Sequence, residues 1–343
     1  MDLKPIYTVE LKDRDYRNYS SREFPMCDLL ETFGPIFKFL APGHELYDAK
    51  NVNKLLTKVA STNPIAVDMG AQIRSFHYQK LKADDATVYR VSKIEAKQSV
   101  NIKSYLTTAQ NLAPHKIDPL NIEDVERLFQ LISQKAIIYI HNAGHKCNQH
   151  LDDGVIFHNP SAIRNPLALL RECTDPPEIS QYWIYVGKRY TNSFLHTDDF
   201  GLPVINTMLN DGQKFWLTVD PSDNVKLIQR LRQMSGLDRS CPYNYLDTKV
   251  LIPPATLRQW GIKFYTTIQR QYETVVLGEN VFHQCINLDL SVNCGANFLS
   301  WGRLKKNSTV YCKCRKEAKL RHDEGVEING FELLATWRTR NLQ

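Results

Sequence analysis

His196 and Asp198, in the segment SFLHTDDF, stand two positions apart. In a β-strand only residues i and i+2 point to the same side, so on a strand the pair presents an imidazole and a carboxylate together. Two neutral imidazoles and one carboxylate on one face hold a mononuclear iron and leave adjacent positions open for a cosubstrate and dioxygen. The second imidazole has to come from a distant strand, and His283 in NVFHQCI is placed to supply it. A second His-x-Asp, His150-Leu151-Asp152, lies in the polar stretch HKCNQHLDDG, where strand alternation fails; a solvated loop is the better reading there. Short motifs arise by chance, so His196 taken alone has an equal claim to an ordinary structural role. Its surroundings shift that balance.

Asn206 and Lys214 follow in GLPVINTMLNDGQKFWLTVDP. A cation fixed on a strand can pair with the distal carboxylate of 2-oxoglutarate, and an amide can bond the end nearer the metal. Lysines at strand edges are commonly just solvated. Lys214, however, runs directly into Phe215-Trp216-Leu217, an unusual place for a purely solvating charge.

Such residues need a rigid β framework. Short β-branched or aromatic runs separated by turn residues supply candidates at 136–141, 182–187, 193–198, 204–209, 214–219, 273–277, 281–286 and 294–299, the pattern of an all-β sandwich or barrel. An amphipathic helix is expected over 121–133, with Asn121 as cap and Ile122, Val125, Leu128, Phe129 and Ile132 as its apolar stripe. A second is expected over 222–234, capped by Ser222, with Val225, Ile228 and Leu231 facing inward and Gly236 just past its end.

The 343 residues suffice for a full core. Hydrophobic residues make up 43% and charged residues 23% with both signs mixed, as in a soluble globular chain. A net charge of +6 permits contact with an acidic surface without demanding it. The charged N-terminus gives no signal peptide, and no apolar run is long enough for a membrane span. With eight cysteines in such a chain, metal binding or plain burial is expected rather than a disulfide framework, together with an intracellular address.

The block HTDDFGLPVINTMLNDGQKFWLTVDP and the block GIKFYTTIQRQYETVVLGENVFHQCINLDLSVNCGANF resemble the two halves of the JmjC domain, and in particular the histone lysine demethylases that carry a JmjN segment close to JmjC. The resemblance covers about residues 115–315 and extends more faintly before them. It implies a distorted double-stranded β-helix of jelly-roll, cupin-like form with flanking helices. It also implies Fe(II) on His196, Asp198 and His283, and 2-oxoglutarate on Lys214, Asn206 and Tyr139 of the strand AIIYIHN. Tyr185 in YWIYVG and Asn297 match positions that shape the methyl-lysine pocket. By composition alone, Tyr139, Tyr185 and Asn297 read equally well as ordinary strand residues.

Carried along the chain, the resemblance divides it into a JmjN-like segment at 1–45, a connecting helical or mixed region at 46–114, the JmjC domain at 115–300 and a zinc-linked segment at 301–343. Cys241, Cys312 and Cys314 match the zinc-binding cysteines of these demethylases, with Asp247 or His322 as fourth ligand to Zn(II). A histone tail peptide, that of histone H3, becomes the expected partner, and the nucleus the expected place, with no membrane involved. The eight Lys or Arg residues from Arg303 to Arg321 read as a solvated face or as a contact for nucleosomal DNA.

Three departures separate this chain from the demethylases it resembles. The carboxylate is Asp198 where that group has glutamate, Gly295 occupies a serine position of the methylammonium cage, and LGENV lacks the aromatic-glycine run before the distal histidine. They keep a protein hydroxylase on the same site, or a non-catalytic chromatin-binding JmjC protein, as alternatives. Intact metal and cosubstrate residues speak against the last.

Overall fold

Alternating β-branched and aromatic residues fold into two principal sheets, in agreement with the mainly β, double-stranded β-helix expectation. The computed structural model describes residues 3–11, 25–40, 65–66, 72–83, 86–141, 167, 182–198, 201–234 and 249–304, with short pieces at 307–308, 328–329, 335–336 and 338–339. In chain order the strands are β1 (Lys4–Pro5), β2 (Tyr7–Val9), β3 (Ile36–Leu40), β4 (Ile65–Ala66), β5 (Gln72–Ala83), β6 (Ala86–Ala96), β7 (Ser99–Val100), β8 (Tyr139–His141) and β9 (Tyr182–Gly187). They continue as β10 (Asn192–His196), β11 (Val204–Met208), β12 (Lys214–Val219), β13 (Val250–Leu251), β14 (Phe264–Gln269), β15 (Glu273–Leu277), β16 (His283–Asn287) and β17 (Ser291–Asn297). The helices are α1 (Pro25–Phe33), α2 (Ile102–Gln110), α3 (Ile122–Ser133), α4 (Asn224–Gln233), α5 (Pro254–Gln259) and α6 (Trp301–Leu304). No helix among the described residues is long and apolar enough to cross a membrane.

The smaller sheet has the order β1-β14-β12-β16-β10, and the larger β13-β6-β5-β8-β9-β17-β11-β15-β3-β2. The outward face of the smaller sheet is apolar. Phe215, Leu217, Val219 and Ile286 join Val125, Leu128, Phe129 and Ile132 of α3 and Leu257 of α5 in one buried cluster. As expected, Asn121 caps α3, its side-chain oxygen accepting from the backbone amides of Glu123 and Asp124. The rings of Phe129 and Phe215 meet edge to face at 6.4 Å, and both are fully buried. Phe129→Ala should therefore cost about 3–5 kcal/mol, read as a lower urea midpoint with an unchanged slope.

Three local expectations need correction. The helix expected over 222–234 begins at Asn224, after a 3-10 turn over Pro221–Asp223 that Asp220, not Ser222, caps. This later start changes its inner face to Leu227 and Leu231, with Ile228 partly buried and Val225 69% exposed. The strand expected over 136–141 is confined to Tyr139–His141. The strand expected over 193–198 ends at His196, so Asp198 lies beyond it.

Two pieces of the architecture were forecast as regions only, without their strands. Described residues of the 46–114 region form the long β5–β6 hairpin, which joins the larger sheet through β8, followed by α2. At the start of the chain, β1 pairs in parallel with β14 and β2 in parallel with β3, so the short stretch 4–9 reaches one edge of each sheet. Ile6, between the two strands, is buried in a cluster with Trp216, Val281 and Cys285.

Candidate active site

β10 delivers its last residue, His196, opposite His283, the first residue of β16. An irregularity between Ser193 and His196 resets the register so that the two histidines become cross-strand partners, with ring centroids 4.2 Å apart. Asp198 joins them from beyond the strand. One ligand atom from each of the three residues lies within 4.8 Å of the other two, and Oδ2 of Asp198 is 3.7 Å from Nε2 of His283.

Each imidazole is oriented by its own backbone. Nδ1 of His196 lies 2.7 Å from the Phe194 carbonyl, and Nδ1 of His283 lies 3.0 Å from that of Val281. A carbonyl only accepts, so Nδ1 carries the hydrogen in both rings, and in the neutral tautomer the lone pair sits on Nε2. Burial lowers the pKa of His283 to about 4, with the Lys214 charge adding to the effect, so this ring is neutral near pH 7. Two imidazole nitrogens and a carboxylate oxygen gathered in this way fit a divalent iron with positions left open.

Lys214 marks the other end of the site. β12 pairs Thr218 with His283 and Lys214 with Asn287, so the lysine lies four residues along the strand from the metal end, about 13 Å between Cα atoms. Lys214 is 1% exposed, and its Nζ donates to the Tyr139 hydroxyl at 3.3 Å. The rings of Tyr139, Tyr185 and Trp216 surround it at 5.9, 5.7 and 5.7 Å to their centroids. No carboxylate pairs with it among the described residues. Burial lowers its pKa. A buried ammonium held only by a hydroxyl and aromatic faces fits an incoming carboxylate, which would supply the missing charge.

Gly187 keeps this end open. A Cβ there would clash with Asn287 Nδ2 and Thr191 Oγ1 and would lie 2.8 Å from Tyr139 Cε2. Gly187→Ala should therefore cost about 1–3 kcal/mol of stability in denaturant titrations and weaken 2-oxoglutarate binding, because Tyr139 has to move.

The other expected residues are distributed around these two ends. Asn206 on β11 accepts through Oδ1 from Asn293, Tyr185 on β9 stands beside Lys214, and half-buried Asn297 closes β17 with a bond to the Pro203 carbonyl. Sequence reasoning passed over Trp216, Gln269, Asn287 and Asn293, all buried. A signal for them existed: each is a polar or amphipathic side chain inside an apolar strand run, where a buried hydrogen-bonding group needs a partner. Cys241, Cys312, Cys314, Asp247, His322, His150 and Asp152 lie outside the described residues. The described cysteines Cys27, Cys285 and Cys294 are buried.

Residues 183–298, which span β9 to β17, match the family model described as JmjC domain, hydroxylase. The chain is similar to a 2-oxoglutarate and iron-dependent oxygenase JMJD4 homolog of Drosophila melanogaster, 27% identical over 137 residues, covering 38% of this chain and 29% of the relative. It is also similar to a putative lysine-specific demethylase JMJ16 of Arabidopsis thaliana, 23% identical over 193 residues, covering 54% of this chain and 16% of the relative. The chain thus spans under a third of the length of either curated relative. Both histidines, the aspartate and the buried lysine fall inside the matched stretch, so all four lie within the JmjC domain that this chain carries.

Proposed function

We propose that this chain demethylates methyl-lysine on a histone tail, that of histone H3, in the nucleus. The observation that carries the oxygenase part is Lys214: a buried cation without a carboxylate partner among the described residues, on the same sheet as His196 and His283. Bound Fe(II) and 2-oxoglutarate together supply oxidation by dioxygen, coupled to decarboxylation of the cosubstrate to succinate. His196, Asp198 and His283 would hold the metal, and Lys214 with the Tyr139 hydroxyl would hold the distal carboxylate of 2-oxoglutarate. Asn206 would bond the end nearer the metal. Trp216, its ring centroid 5.7 Å from both Lys214 Nζ and the His283 ring, lies between the two ends. Tyr185 and Asn297 would border the methyl-lysine. Because oxidation takes place at the methyl carbon, no nitrogen lone pair is required, and trimethyl-lysine is an accessible substrate.

One observation favours a second reading, a protein hydroxylase. Gly295 offers no side chain where the demethylases it resembles place a serine of the methylammonium cage, and a Cβ there would come within 3.0 Å of Tyr185 Cε2. Mass spectrometry separates the two readings after incubation of methylated and unmethylated H3 peptides with Fe(II), 2-oxoglutarate and oxygen. Loss of CH2 with release of formaldehyde supports demethylation, and a retained extra oxygen on the peptide supports hydroxylation. Absence of succinate under any condition overturns both.

The cysteine pattern supports a second metal, a zinc on Cys241, Cys312 and Cys314 with Asp247 or His322, which would fasten the segment after residue 300 to the oxygenase domain. About one zinc per purified chain is expected, lost together with thermal stability in Cys312→Ser or Cys314→Ser. Native, stable, zinc-free protein would refute it. The basic stretch from Arg303 to Arg321 supports a contact with nucleosomal DNA, which would weaken steeply with added salt.

A further inference from the structure

The interior holds a run of amide and indole groups whose donors and acceptors admit one arrangement. Gln269 is fully buried, and its Nε2 donates to the carbonyls of Asn206 at 2.7 Å and Glu273 at 2.9 Å. Carbonyls only accept, so the nitrogen of this amide must face them and Oε1 must face away. Oε1 then accepts from the Trp216 indole N–H at 2.9 Å and from Asn293 Nδ2 at 3.4 Å. The indole only donates, which fixes the same orientation a second time. Asn293, also fully buried, therefore turns its nitrogen toward Gln269, and that nitrogen donates to Asn206 Oδ1 at 3.1 Å. Its own Oδ1 has no partner among the described residues, a loss that calls for a reason.

The reason lies one residue further along. With Oδ1 held by Asn293, the Asn206 amide must turn its NH2 the other way, toward Tyr185 and the space that Gly295 leaves open, and 3.5 Å from where a Cβ on Gly295 would stand. Turned round, Asn206 would set a donor against the donor of Asn293. We propose that Asn293 is a positioning residue: with Gln269 and Trp216 it fixes the Asn206 amide so that its NH2 donates to an anionic oxygen of the cosubstrate. The inference rests on the reading of Asn206 as a 2-oxoglutarate contact and adds the polarity of that contact. It makes the site favour a hydrogen-bond acceptor over a donor at this end, and a charged oxygen most.

The test measures 2-oxoglutarate dissociation from the full chain, loaded with Fe(II) and free of oxygen, by the metal-to-cosubstrate charge-transfer absorption. Asn206→Ala removes the donor. Asn293→Asp offers Asn206 only acceptors and reverses its amide, whereas Asn293→Ala releases it. Asn206→Ala and Asn293→Asp should each weaken binding roughly 10- to 100-fold, the range for a hydrogen bond to a charged group, and Asn293→Ala less. Fe(II) affinity should stay at the wild-type level in all three. In the double variant Asn206→Ala/Asn293→Asp the loss should equal that of Asn206→Ala alone, since Asn293 acts only through Asn206. A purely structural role would give losses that multiply, and that result overturns the proposal, as does wild-type binding by Asn293→Asp when Asn206→Ala is weakened. If Asn293→Asp does not fold, the same cycle with Asn293→Ala decides by the same criterion. Wild-type binding by Asn206→Ala instead overturns the cosubstrate reading of Asn206, and no band in the unaltered chain overturns the oxygenase reading.

Discussion

His196→Ala and Asp198→Ala should each reduce 2-oxoglutarate-dependent succinate formation by at least about 100-fold, because loss of an outer partner of a metal ligand already costs roughly 10- to 100-fold and these are the ligands themselves. Each substitution removes one corner of a three-residue donor set, and two remaining ligands cannot hold a facial site. The metal-free fold should be spared, since both side chains are only partly buried and neither belongs to an apolar cluster. Thermal melting without metal should therefore overlay the unaltered chain, which separates loss of chemistry from loss of structure. His150→Ala, in the other His-x-Asp, should leave turnover unchanged. An equal loss there would show that the wrong motif had been chosen.

Lys214 is expected to give opposite signs for binding and for stability. Lys214→Ala should weaken 2-oxoglutarate binding by roughly 2–5 kcal/mol, about 30- to 5,000-fold, because the distal carboxylate would then be buried without its cation. Iron binding should persist, as the lysine is not a ligand. Lys214→Met keeps the length and discards the charge. Since the unliganded protein buries this ammonium against rings and one hydroxyl, Lys214→Met should raise its melting temperature while losing the cosubstrate. The pH dependence follows the same cause. Burial lowers the folded-state pKa below the 10.5 of the free side chain. As pH rises through the lowered value toward 10.5, the unfolded chain holds the proton that the folded chain has shed, so stability increases over that window. The difference in stability between the two proteins should narrow there. A variant with unaltered 2-oxoglutarate affinity would remove Lys214 from the site.

The chemistry was more legible than the architecture. His196, Asp198, His283 and Lys214 could be read because metal and anion chemistry restricts residue type and strand spacing together. α3 could be read because a cap and a stripe of five apolar residues agree. The i+2 rule nevertheless selected a pair that the fold gathers with His283 for a reason only half right: Asp198 reaches the cluster from beyond β10, not along it. For α4, proline at 221 admitted a 3-10 turn that delayed the helix and rotated its inner face by the resulting offset. The β5–β6 hairpin was hidden by the charged residues on the exposed stretches of its two strands. Parallel pairs as short as β1 with β14 leave no local pattern at all, because their stability comes from distant partners. The Trp216–Gln269–Asn293 relay falls in the same class, since a buried amide in a strand announces that it needs a partner but not which one.

If the triad and Lys214 form one site, Fe(II) and 2-oxoglutarate must bind there together, which an anaerobic titration can follow. Fe(II) is added to the purified chain, then 2-oxoglutarate, and the visible charge-transfer band is followed in the unaltered protein and in Asp198→Ala and Lys214→Ala. The band should saturate at one 2-oxoglutarate per chain, be absent in Asp198→Ala, and appear in Lys214→Ala only at far higher cosubstrate concentration. No band in the unaltered chain, or an undiminished band in Asp198→Ala, would contradict it.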